Sequence, residues 1–169
     1  GIKEMRISVA FYKGKGSWKN KIIRWWTKSP YSHVELVLPN ETTWVSISPF
    51  LTSRVAERPV HEVQNLNDWD FLSFDLSWRE PVRKYQISQI YNFIEETTGA
   101  RYDWFGMILS QIFPYLIKHR DRWYCSEWIA HSLVKGRIVK WDKLQIYKTP
   151  NLSPGKLYEI LKDHEPEYK

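Results

Sequence analysis

The chain has a single cysteine, which excludes an intrachain disulfide and every site built from two or more thiolates. Glycine and proline are scarce, at 7 and 9 in 169 residues, so collagen-like and low-complexity classes are excluded. Long apolar runs are missing too. The longest uncharged stretch runs from Trp104 to Ile117 with Pro114 inside it, and is too short to cross a bilayer. No long apolar stretch follows Lys3, so no signal peptide is expected there. A lone thiol fits a reducing compartment, and the cytoplasm is the default expectation. Removal of a signal or of a larger parent chain would leave periplasmic or secreted placement open.

Apolar and aromatic residues are plentiful. Hydrophobic residues make up 43% and aromatics 16%, with 10 Trp and 10 Tyr. That is enough for a real core, and 169 residues is the length expected of one domain, taken here as 1–169. The formal net charge is +6, and it is unevenly spread. Between Gly1 and Pro30, Lys3, Arg6, Lys13, Lys15, Lys19, Lys21, Arg24 and Lys28 face Glu4 alone. Such a segment suits an anionic polymer, a nucleic acid or an anionic membrane surface, or simply a solvated face.

Hydrophobic patterning predicts strands first and helices later. Ile7–Tyr12 reads as a strand, Lys13–Gly16 as a turn, and Trp18–Thr27 as a short amphipathic helix capped by Ser17. Tyr31–Leu38 and Thr42–Ile47 form a hairpin across Pro39-Asn40, and Phe50–Val63 is loop with a short strand. Asp70–Leu76 is a further strand. Helices are predicted at Arg83–Thr97, with Ile87, Ile90, Tyr91 and Ile94 on one face, and at Tyr102–Phe113. Two more follow, at Cys125–Lys135, closed by Gly136, and from Ser153-Pro154 through Leu161. The order implies an α+β fold with an antiparallel sheet packed by helices.

Little in the sequence supports a metal or nucleotide site. His33, His61, His119, His131 and His164 form no HExxH pattern, and no resident metal or cofactor is expected. Gly14-Lys15-Gly16-Ser17 lacks phosphate-loop spacing. Cys125, by contrast, stands at the start of a predicted helix. Free N–H groups and positive potential there favour the thiolate and can hold a developing oxyanion. The plain alternative is an inert buried thiol. A nucleophilic cysteine needs a base, and His33 supplies one if its strand face meets that helix start. Glu35 shares a strand face with His33, with Val34 and Leu36 on the other. Glu35 could orient the imidazole, and so could Ser46 or Ser48 from the paired strand region.

Three motifs now carry a resemblance: Tyr31-Ser32-His33-Val34-Glu35-Leu36, Arg101-Tyr102-Asp103-Trp104 and Tyr124-Cys125-Ser126-Glu127. With Thr149-Pro150-Asn151-Leu152-Ser153-Pro154-Gly155 near the end, the whole chain resembles the circularly permuted branch of the NlpC/P60 papain-like superfamily, which includes YiiX-like proteins. The resemblance implies a cysteine hydrolase acting on an amide bond of a peptide or cell-wall peptide. Cys125 would be the nucleophile, His33 the general base, Glu35 the polar third member, and Tyr102 a hydroxyl near the oxyanion or a core residue. Ser126 and Glu127 would stabilise the helix start. Two alternatives remain. One is a lipid-directed acyltransferase or thioesterase of the same fold. The other is a non-catalytic basic protein that binds nucleic acid or a membrane surface.

Overall fold

The computed structural model describes residues 6–14, 29–40, 42–47, 55–59, 63, 66–98, 101–102, 122–123, 125–140 and 152–163. The side chains at 46–47, 55–56, 58, 101–102, 122–123 and 125 lie outside that description. So do the expected helix at 18–27 with its Ser17 cap, residues 103–113 of the expected second helix, and Ser48.

Five strands form one antiparallel sheet: β1 (Arg6–Tyr12), β2 (His33–Val37), β3 (Thr43–Ile47), β4 (Val55–Pro59) and β5 (Trp69–Asp75), in the order β4-β3-β2-β1-β5. β1 is flanked by β2 and β5, and its sequence suits that place. Ile7, Val9 and Phe11 alternate onto one face, and Ala10 lies on the other. The β2–β3 hairpin forms where Pro39-Asn40 predicts it. Asn40 Oδ1 accepts from the Thr42 and Thr43 backbone N–H groups at 3.0 and 3.1 Å, an Asx turn that sets the hairpin register. β4 is the short strand expected within Phe50–Val63, at one edge of the sheet.

Among the described residues three helices cover one face: α1 (Glu80–Thr97), α2 (Cys125–Lys135) and α3 (Pro154–Lys162). α1 starts a turn earlier than Arg83, with Pro81 in its first turn, where a missing N–H costs nothing. Its buried side is Gln86, Ile90, Phe93, Ile94 and Thr97, while Tyr91 is 40% exposed. The apolar face is therefore rotated from the expected one: Phe93 takes the core position and Tyr91 lies outside. α2 has the predicted bounds. Gly136 follows it, but the left-handed residue is Arg137 (φ 56°). Glycine at 136 answers a packing need, because a Cβ there would stand 2.6 Å from the Ile90 side chain. α3 is capped by Ser153, whose hydroxyl accepts from Lys156 N–H at 3.2 Å.

The main core joins Ile7, Val9, Phe11, Val34, Leu36 and Phe74 of the sheet to Ile90, Phe93 and Ile94 of α1, Trp128, Ile129 and Leu133 of α2, and Leu157 and Leu161 of α3. Trp128 is fully buried, stacks on Phe93 at 5.5 Å, and donates from Nε1 to Thr97 Oγ1 at 2.8 Å. A two-residue parallel pair, β6 (Arg101–Tyr102) with β7 (Arg122–Trp123), is not expected from the sequence, and it puts Tyr102 in a strand rather than at a helix start. Among the described residues no helix is long and apolar enough to cross a membrane.

Candidate active site

Of the candidate residues His33, Glu35, Tyr102 and Cys125, the side chains of His33 and Glu35 are among the described residues. Two residues along a strand are separated by about 6.5 Å, so contact requires their side chains to lean together. They do: His33 Nε2 lies 3.7 Å from Glu35 Oε2. Both residues are 3% exposed. A histidine and a carboxylate this deeply buried are costly to the fold unless their polar atoms are compensated.

Strand alternation decides what surrounds them. Val34 and Leu36 point into the main core with Trp128, Ile129 and Leu133. His33 and Glu35 therefore lie on the opposite face, shared with Ala10, Val37, Trp44 and Trp69. Around the pair that face is buried, while Phe71 on the same face is 45% exposed. The Trp69 ring centroid lies 6.3 Å from that of His33, with the planes inclined at 68°. Trp69 is held in turn by Tyr12 at 4.9 Å and by Trp44 at 5.0 Å. The sequence pattern does not single out Trp69. Its only signal is register, since Tyr12 pairs with His33 on one side and with Trp69 on the other.

Cys125 is the first residue of α2, as predicted, so its backbone occupies the helix N-terminus, where free N–H groups and positive potential are found. α2 packs against β2 and β3. The body of α2 sits on the Val34 and Leu36 face, opposite the face of His33 and Glu35, and the Cys125 side chain lies outside the described residues, so the described contacts do not bring the thiol and the imidazole together. The pairing of β6 with β7 sets Tyr102 beside Trp123, just ahead of Cys125 in the chain. The Tyr102 and Cys125 motifs are thus neighbours in space although well separated in sequence. Ser126 does not cap its own helix. Its hydroxyl donates to the Leu152 carbonyl at 2.5 Å and ties α2 to the chain entering α3. Glu127 is buried in the first turn of α2, where a negative charge is favourable. The Ser46 backbone pairs with Ala56 in the β3–β4 ladder.

A second polar cluster ties the two strand ends that carry His33 and Trp69. Tyr31 Oη donates to Asp70 Oδ2 at 2.5 Å, and Lys13 Nζ donates to Asp70 Oδ1 at 2.8 Å. The Lys13 ammonium and then the Tyr31 hydroxyl hold the Asp70 carboxyl below its usual range. Burial, then the Asp70 carboxylate, push the Tyr31 phenol up. A carboxyl whose pKa is depressed on folding contributes stability above its unfolded value, and that stability is lost as pH falls through the folded value. Asp70→Asn is therefore expected to lower the urea midpoint at pH 7, with the deficit shrinking once pH drops below about 4. Solvent reaches this pair, so the effect is at most about 1 kcal/mol. A deficit that grows toward acid would contradict this assignment.

Among the described residues no group of three or more His, Cys, Asp or Glu could hold a metal ion. No family model matches the chain, and no curated protein matches it. The fold is nevertheless similar to a solved structure, the metalloprotein yiiX from Escherichia coli O157:H7. The TM-score is 0.55 at 15% identity, with 99% of each chain covered, so this chain has a YiiX-like α+β fold.

Proposed function

We propose that the chain is a cysteine-dependent hydrolase of the circularly permuted NlpC/P60, papain-like type, cleaving an amide bond in a peptide or cell-wall peptide. The observation that carries this reading is the buried His33–Glu35 pair at 3.7 Å, on a strand that packs against the helix headed by Cys125. Cys125 Sγ, deprotonated by His33, attacks the carbonyl carbon. The C–N bond then breaks as His33 returns the proton to the leaving amine. Water, deprotonated by the same imidazole, hydrolyses the thioester and releases the carboxylate. Backbone N–H groups at the start of α2, assisted by the Tyr102 hydroxyl, stabilise the oxyanion. Glu35 orients the imidazole and balances its charge. The basic segment between Gly1 and Pro30 suits an anionic polymer; the cytoplasm is the default compartment, and a wall polymer as substrate requires a periplasmic or secreted place instead.

The yiiX neighbour is described as a metalloprotein. In this chain His33 and Glu35 offer two donors, and no third stands with them among the described residues. The proposed chemistry runs through Cys125 and His33 and invokes no metal.

Alkylation of Cys125 across pH, read by intact mass, tests the reading without a known substrate. The wild type is expected to react well below the ordinary thiol pKa of about 8.5, and His33→Ala is expected to return the profile to that value. Identical profiles in both proteins would remove the thiol–imidazole pair, and the enzyme reading with it. If the pair is present, turnover of peptide, ester and acyl substrates then separates an amidase from a thioesterase or acyltransferase of the same fold.

A further inference from the structure

The sheet face that carries His33 and Glu35 also carries aromatic side chains that meet from strands far apart in the sheet. Its cross-strand rows follow from register. His33, Tyr12 and Trp69 form one row, and Glu35, Ala10 and Phe71 form the next. Trp44 belongs to the row beyond, opposite Val37 on β3. In the order β3-β2-β1-β5, Trp44 and Trp69 start three strand spacings apart, about 14 Å between backbones. Yet their ring centroids are 5.0 Å apart at 90°. Both indoles must therefore lean over the strands between them, across the row that holds Glu35 and Ala10. Trp44 also meets Phe71 at 5.8 Å. The small Ala10 side chain leaves the space that these rings fill. The pair beside them is 3% exposed at each residue, and a buried pair interacts more strongly than a solvated one.

We propose that Trp69 is the positioning residue of this site. Braced by Tyr12 and Trp44, its indole holds the His33 imidazole against Glu35 and keeps bulk water from the pair. Tyr31 and Lys13 fix the neighbouring Asp70, so the strand end that presents Trp69 is clamped to the chain entering β2. The catalytic consequence rests on the reading of His33 as general base. The contact itself does not.

The test uses Trp69→Leu, which keeps an apolar side chain without a ring, and Trp69→Phe, which keeps a ring. Carbethoxylation of His33 by diethyl pyrocarbonate, located by mass spectrometry, reads access to the imidazole. Trp69→Leu is expected to speed modification of His33 about tenfold or more, and Trp69→Phe to restore most of the protection. The half-buried His131 of α2 serves as an internal control, and its rate should not change. Equal acceleration at His131 would mean general loosening and would overturn the proposal, as would a His33 that stays protected in folded Trp69→Leu. If Trp69→Leu does not fold, Trp69→Phe decides alone: His33 protected and Cys125 profile retained supports the assignment, and His33 exposed overturns it. The pH profile of Cys125 alkylation is the second readout. Trp69→Leu should move it toward the His33→Ala profile, and Trp69→Phe should not. A Cys125 profile that ignores His33→Ala would remove the catalytic reading and leave the Trp69–His33 assignment to the carbethoxylation result.

Discussion

Trp128→Ala is expected to destabilise the protein by about 3–5 kcal/mol, measured as the shift of a urea unfolding curve. The side chain is fully buried on α2 at the junction of the sheet and α1. Its removal takes away the stacked contact with Phe93, the packing of the indole and the Nε1–H donated to Thr97 Oγ1. Thr97 Oγ1 also donates to the Phe93 carbonyl at 2.7 Å, so its proton keeps a partner and the loss is chiefly of volume. The cavity term therefore dominates, because neighbours fixed on a sheet and two helices collapse poorly into the gap. Trp128→Phe retains a ring against Phe93 and should cost about 1–2 kcal/mol. For a chain of this length the alanine variant should lose about 10 °C in Tm. Cys125 begins the same helix one turn earlier, so the variant should also loosen the candidate nucleophile, and its alkylation profile should broaden toward that of an ordinary thiol. A loss below about 1 kcal/mol would mean that α2 is not anchored by this residue.

The parts of this fold that can be read from sequence are those whose signal is local. β1 is visible because Ile7, Val9 and Phe11 alternate within a β-favouring run. The bounds of α2 and α3 are visible because their periodicity ends at local markers, Gly136 and Ser153-Pro154. β6 and β7 are not visible, since two residues each have no periodicity and their pairing is made only in space. The face of α1 is misplaced in sequence because Tyr91 and Phe93 are equally aromatic, and only the partner surface selects between them. The candidate site divides the same way. Alternation along β2 puts His33 and Glu35 on one face. What covers that face depends on register across four strands, and Trp44 and Trp69 reach it from elements far away in sequence.

That division bears on the second large expected effect, at His33 and Glu35 themselves. Glu35→Leu removes the carboxylate from beside a buried imidazole, and His33→Leu leaves a buried carboxylate without it. Each single change removes one buried polar group from beside the other and is expected to destabilise the fold by about 1–3 kcal/mol. The double substitution His33→Leu/Glu35→Leu places apolar groups under Trp44 and Trp69, where nothing polar then needs solvating. It should recover most of that loss, and can exceed the wild type by about 1–4 kcal/mol. Urea unfolding of the four proteins closes the cycle, and Cys125 alkylation is followed in the same set. A stable double variant whose Cys125 reacts as an ordinary thiol would separate the two roles, with the pair costing the fold and serving the chemistry. A double variant that loses the sum of the two single effects would make the pair a structural element of the sheet. Then the buried geometry at β2 would no longer argue for catalysis, and the reading would stand on Cys125 at the start of α2 alone.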